Sequence, residues 1–144
     1  MAATAWTLTD EGLTKLSSGE WVIGTDTFKM ALFLSTSNLG AASTTYAGVN
    51  NEVGTTNTGY STGGVAVTLS MSGTTTVTIK QSAGCEWTAG SANLVCRYAA
   101  IYEVGGRVLC YSDLGSGSDT TTTNGNKLTV GGTNATIQTI TKTP

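Results

Sequence analysis

Apolar residues in this chain recur mostly with a period of two, the spacing of strands that bury one face. Residues 27–35 (TFKMALFLS) put Phe28, Met30, Leu32 and Leu34 on one face and Ala31 and Phe33 on the other. Apolar on both sides, this segment is expected to be a central strand. Val65, Val67, Leu69 and Met71 form one alternating run and Val77 and Ile79 another, and Ser72-Gly73 between the two predicts a hairpin. A second hairpin is legible in residues 94–103 (LVCRYAAIYE) and 107–113 (RVLCYSD), which flank Gly105-Gly106. Residues 127–130 and 137–143 predict two last short strands joined across 131–134 (GGTN). The period changes to that of a helix only near the N-terminus. There Thr9 or Asp10 can cap the start, Asp10 and Glu11 favour the positive end, Leu13 and Leu16 share a face, and Gly19 can end the helix.

Two stretches lack periodicity. Residues 36–64 carry turn signals at Asn38-Leu39-Gly40, Asn50-Asn51 and Gly63-Gly64, and read as a long connection punctuated by Tyr46 and Tyr60. A connection of that length in a compact domain is either functional or held by its own aromatic anchors. Residues 119–126 (DTTTTNGN) read as a polar, turn-rich loop. Seven to nine short strands with one short N-terminal helix predict an all-β fold, an antiparallel β-sandwich. Residues 1–8, with Trp6, are expected to be an arm toward a partner or an edge strand, and 9–144 a single sandwich domain.

Composition narrows the chemistry. The chain of 144 residues has no histidine, 9 acids, 7 bases and 19 glycines. Without histidine it lacks the usual general base and the commonest metal ligand, so no catalytic function, cofactor or metal is expected. No Ser-x-x-Lys offers an alternative nucleophile and base, and the scattered acids Glu52, Glu86, Glu103, Asp113 and Asp119 read as surface carboxylates rather than a glycosidase pair. Asp113 and Asp119 amid Gly and Ser are the nearest approach to a calcium loop, without a full ligand set. Residues 59–64 (GYSTGG) lack the lysine of a phosphate-binding loop and lead into a strand. A net charge of −2 with no basic cluster argues against nucleic acid. No apolar run approaches the ~20 residues of a membrane span, and the segment after Met1 lacks a signal-peptide pattern, so an unprocessed product made in the cytoplasm is expected. Cys85, Cys96 and Cys110 lack metal-site or redox-motif spacing and are expected as small buried hydrophobes. Asn134-Ala135-Thr136 matches a glycosylation acceptor, relevant only in a eukaryotic secretory pathway. Of the tryptophans, Trp21 and Trp87 are expected in the core and Trp6 at a contact.

The order of short phrases along the chain carries a resemblance. Residues 26–39 (DTFKMALFLSTSNL), 46–53 (YAGVNNEV) and 59–69 (GYSTGGVAVTL) are followed by 99–103 (AAIYE), 109–114 (LCYSDL) and 124–130 (NGNKLTV). This order resembles a family of small structural proteins of tailed bacteriophages, some of which look like capsid cement, or decoration, proteins with a jelly-roll-like β-sandwich. The resemblance implies a virion protein on the capsid exterior that binds the major capsid protein of the assembled shell and stabilises contacts between capsomers. It also implies a homo-oligomer, with neither nucleic acid nor membrane as partner. The contact regions expected on that basis are the arm with Trp6, the long connection with Tyr46 and Tyr60, and the 119–126 loop with Asn124. Two alternatives stand beside it: a tail or fibre component that attaches to the host, and a carbohydrate-binding sandwich that uses an exposed tryptophan.

Overall fold

A computed structural model describes residues 5–141. It is an all-β antiparallel sandwich with a single short α-helix. The strands are β1 (Thr7–Leu8), β2 (Phe28–Phe33), β3 (Val65–Val67), β4 (Leu69–Ser72), β5 (Thr76–Gln81) and β6 (Cys85–Thr88). They continue as β7 (Leu94–Cys96), β8 (Tyr98–Glu103), β9 (Val108–Asp113), β10 (Thr120–Thr122), β11 (Lys127–Val130) and β12 (Ala135–Thr141). One layer is a five-stranded sheet in the order β1-β9-β8-β2-β3. The other is divided into a three-stranded sheet, β12-β5-β4, and two ribbons, β10-β7 and β11-β6.

The main core lies between the layers. Phe28, Met30, Leu32, Ile101 and Leu109 from the large sheet meet Ile79, Trp87, Leu94, Leu128 and Val130 from the smaller ones. Strand β2 is central, paired with β8 on one side and β3 on the other, as its two apolar faces require. Trp21 and Trp87 are core residues, and the Trp21 ring meets Phe28 edge to face with centroids 5.7 Å apart. Gln81 is fully buried and donates through Nε2 to the Val130 carbonyl at 3.2 Å, tying the three-stranded sheet to β11. The cysteines are free and buried. Burial pushes the Cys85 thiol up to about 11 and Cys96 up to about 12, and raises Cys110 as well, so all three behave as apolar filler.

Both predicted hairpins form. Strands β4 and β5 pair through Ser72↔Thr78, with Gly73 at φ +102°, and β8 pairs with β9 around Gly106. Each of the long runs behind them, however, divides between layers. The 65–71 run breaks at Thr68, with β3 in the large sheet and β4 in the three-stranded one. The 94–103 run breaks at Arg97, with β7 paired to β10 and β8 to β2 and β9. A strand that changes sheets at a corner keeps its alternation, so the break is silent in the hydrophobic pattern. Arg97 pins its corner: Nη2 and Nε reach Asp113 Oδ2 at 2.9 and 3.2 Å, and its guanidinium lies 4.6 Å over the Tyr98 ring.

The helix α1 (Asp10–Ser17) is capped by Thr9, whose Oγ1 accepts from Gly12 N at 2.9 Å. It docks at a bulge in β9, where Ile101 pairs with Cys110 and Tyr102 with Val108, leaving Leu109 as the extra residue. The Leu109 carbonyl accepts from Thr9 N, and a Cβ at Gly12 would lie 2.1 Å from that oxygen, so only glycine allows the approach. Leu16 packs on the core, but Leu13, expected on the same face, is 53% exposed because the helix touches the sheet through Gly12.

Two further expectations, the 119–126 loop and the start of the last strand, are corrected. Residues 120–122 of the supposed 119–126 loop form β10, since the threonines are β-branched and β7 offers an edge. Strand β6 carries no alternation distinctive enough to predict, yet its register places Cys85 and Trp87 inward beside Val130 and Leu128. Within the expected arm, Thr7–Leu8 pair with Tyr111 and Cys110 as an edge strand, and residues 1–4 lie outside the described residues. The last strand begins at Ala135 rather than Ile137 and is described to Thr141, with 142–143 outside the described residues. No helix among the described residues is long and apolar enough to cross a membrane.

Candidate functional site

The long connection is a second layer. Its middle and its latter part are stitched to the large sheet beside β9 and beside β2. Near β2, Leu34 N donates to Asn51 O at 2.9 Å and Val53 N to Leu32 O at 3.0 Å. Near β9, Tyr46 N donates to Gly106 O and Val108 N to Thr44 O. Between these ties Leu39, Tyr46 and Val49 cover the sheet's outer face, made of Ala31, Phe33, Ala100, Tyr102 and Val108. The tyrosine stack of Tyr46 on Tyr102, with centroids 4.3 Å apart and planes 10° from parallel, anchors the cover.

One carboxylate joins that cover to the main core. Glu52 accepts from the Tyr46 hydroxyl through Oε2, and from the Tyr60 hydroxyl at 2.6 Å and Gly63 N at 2.7 Å through Oε1. The Tyr60 oxygen in turn accepts from Leu32 N at 3.1 Å, and the Tyr102 hydroxyl donates to Gly63 O at 2.8 Å. Burial, with the neighbouring Glu52 carboxylate, raises the pKa of Tyr60 and Tyr46. These phenols donate their hydrogen bonds in the neutral form and so tie the cover to the core.

The sequence-expected contact residues therefore separate. Tyr60 is 3% exposed and is corrected to a core residue, its ring set against Trp87 and its hydroxyl spent on Glu52. Tyr46 is half-buried in the tyrosine stack. Trp6 is half-buried against the main core beside β1, and Asn124 is exposed in the turn after β10, where its N–H donates to Asn93 Oδ1 at 3.3 Å. Of the four, Tyr46 and Tyr60 come together on the Glu52 carboxylate. With Trp21 and Trp87 buried, Trp6 is the one tryptophan that is only half-buried.

Carboxylates that suggested ion binding are otherwise engaged. Asp119 accepts from Ser35 N and Oγ, both at 2.8 Å, while Asp113 holds Arg97 and accepts from Gly115 N and Gly117 N. Among the described residues no group of three or more Cys, Asp or Glu is placed to hold a metal ion.

What the structure adds is an apolar cleft at the open end of the main core. Trp21, Val22 and Ile23, which follow α1, face Met71 of β4, Ile79 of β5 and Ile140 of β12 across a cleft of about 290 Å³. Val22 is 54%, Met71 56% and Ile140 44% exposed, so three of the largest water-exposed hydrophobics border one opening. The bend that presents Val22 is held by Asp26, whose Oδ2 accepts from Val22 N at 2.6 Å. Sequence inspection passes over this site because the six residues come from four separate segments. The signal present was a run, Trp21-Val22-Ile23, too apolar for a connection on the surface. Comparison with protein-family models, with curated proteins and with solved structures finds no match.

Proposed function

We propose that the chain is a virion structural protein of a tailed bacteriophage, a cement protein that binds the outer surface of the assembled capsid and stabilises contacts between capsomers. The phrase order of the sequence motivates the virion setting, and the apolar cleft on a cross-tied sandwich carries the binding role. Val22, Met71 and Ile140 give a neighbouring protein an anchor pocket on a scaffold that changes little on binding. A cement protein needs that and no turnover: it binds the assembled lattice in preference to free subunits, so each copy stabilises the shell by mass action, and bridging adds an effective-concentration term.

Two measurements test this. Quantitative mass spectrometry of purified virions is expected to give a copy number within a few-fold of the major capsid protein; a few per cent would move the chain to the tail or a vertex. The second is rebinding to capsids stripped of the protein. Met71→Asp and Ile140→Asp are expected to lower occupancy at least tenfold with the fold intact, since burying an unpaired carboxylate in the contact costs several kcal/mol. Wild-type occupancy by both variants would remove the cleft from the proposal.

A further inference from the structure

We infer that the stacked pair Tyr46 and Tyr102 is an oxidative modification site, at which the two rings join by a carbon–carbon bond to form dityrosine. The rings already lie in contact, with centroids 4.3 Å apart and planes 10° from parallel. Phe33 meets Tyr46 from another direction with centroids 6.3 Å apart, and the Tyr102 hydroxyl is fixed on Gly63 O at 2.8 Å, so both rings are held in place. Reacting carbons held in contact couple far faster than partners that must first meet in solution.

Among the described residues this is the one stacked pair of tyrosine rings. Tyr60 instead faces Trp87, and Tyr98 lies 4.6 Å beneath the Arg97 guanidinium, whose positive charge opposes removal of an electron from the ring. Tyr46 also has a proton acceptor in place, because its hydroxyl donates to Oε2 of Glu52. A phenol gives up an electron readily only when its proton has a destination, and the carboxylate supplies one. Tyr46 is half-buried and Tyr102 is 6% exposed, so oxidation starts at Tyr46.

Tyr46 yields one electron to the oxidant and its hydroxyl proton to Glu52. Tyr102 yields a second electron, and its hydroxyl proton leaves to water. The two phenoxyl radicals bond through ring carbons ortho to oxygen, and the hydrogens on those carbons shift to the oxygens and restore both phenols. Two electrons and two protons are lost in all, the electrons to two equivalents of a one-electron oxidant. The new bond fastens the cover to β8 and closes a loop between residues 46 and 102, restricting the unfolded chain as a disulfide does. With all three cysteines free and buried, the tyrosine pair is placed to supply a covalent staple that the thiols do not. The inference does not rest on the virion proposal.

Brief illumination of the purified chain at micromolar concentration, with a ruthenium tris-bipyridine complex and persulfate as the one-electron oxidant, tests it. The monomer, separated from intermolecular products by gel filtration, is expected to show dityrosine fluorescence. Its tryptic digest is expected to contain residues 30–80 joined to 98–107, with the summed mass less two hydrogens and fragments that place the bond at Tyr46 and Tyr102. Tyr46→Phe, which keeps the stack, is expected to lower the yield in the monomer at least about tenfold, whereas Tyr98→Phe leaves it at the wild-type level. The linked monomer is expected to unfold at higher denaturant concentration and to exchange more slowly in residues 36–64. An oxidised monomer without dityrosine, a bond at another pair of tyrosines, or a wild-type yield from Tyr46→Phe overturns the inference.

Discussion

The two faces of the five-stranded sheet are both buried, by different physics. The inner face meets aliphatic and aromatic side chains from three smaller sheets, and its stability is that of apolar area removed from water. The outer face is covered by a connection with one short 3-10 turn at Tyr46–Gly48, held by stacked tyrosines and by a carboxylate that accepts three hydrogen bonds. A segment without strands can thus serve as a layer of a fold, provided its polar groups are met one by one.

The largest effect should come from the inner face. Phe28→Ala removes a ring that is 1% exposed and leaves a cavity in contact with Trp21, with an expected loss of about 3–5 kcal/mol in denaturant unfolding. The whole domain should lose stability together. A loss confined to exchange rates in one segment would contradict the picture of a shared inner core.

On the outer face Glu52→Ala should cost about 2 kcal/mol, because the buried Tyr60 hydroxyl and Gly63 amide lose their acceptor. Its signature is regional: hydrogen exchange should rise in residues 36–64 more than in β8 and β9. Equal acceleration everywhere would show that the cover is not separable from the sandwich.

Alkaline titration sharpens the contrast. Tyr46, Tyr60 and Tyr102 have raised pKa values in the fold, from burial first. Groups held neutral contribute stability that is fully present below the ordinary tyrosine pKa of about 10 and is lost as pH rises above it. Phenolate absorbance should therefore appear for these residues only with unfolding. The inner face responds through its thiols in the same direction, from the ordinary thiol value upward, and native protein at pH 8 should resist alkylation at Cys85, Cys96 and Cys110.

The smallest expected effect lies at the corner between the layers. Arg97 and the amides of Gly115 and Gly117 hold the Asp113 carboxyl below the usual carboxylate range. A depressed pKa contributes stability above the unfolded value and loses it as pH falls through the folded one. Asp113→Asn should cost no more than about 1 kcal/mol at neutral pH, since the pair is partly solvated, and should flatten the acid limb of the stability curve.

The sequence by itself determined the strand-rich class, both hairpin turns, the capped helix, the central strand and the inert cysteines. These are local properties: alternation, turn residues that accept positive φ, and a threonine one position before two acids are written in adjacent residues. It also singled out Tyr46 and Tyr60 as the aromatic points of the long connection, without showing that Glu52 would turn them inward. Only the tertiary structure decided where the 65–71 and 94–103 runs change sheets, that Thr120–Thr122 pairs as a strand, and that Leu13 faces water. It alone assembled the cleft from Trp21, Val22, Ile23, Met71, Ile79 and Ile140. Alternation reports that a residue has an inside and an outside, but which sheet supplies the inside depends on contacts between segments far apart in the chain, and no local pattern encodes those.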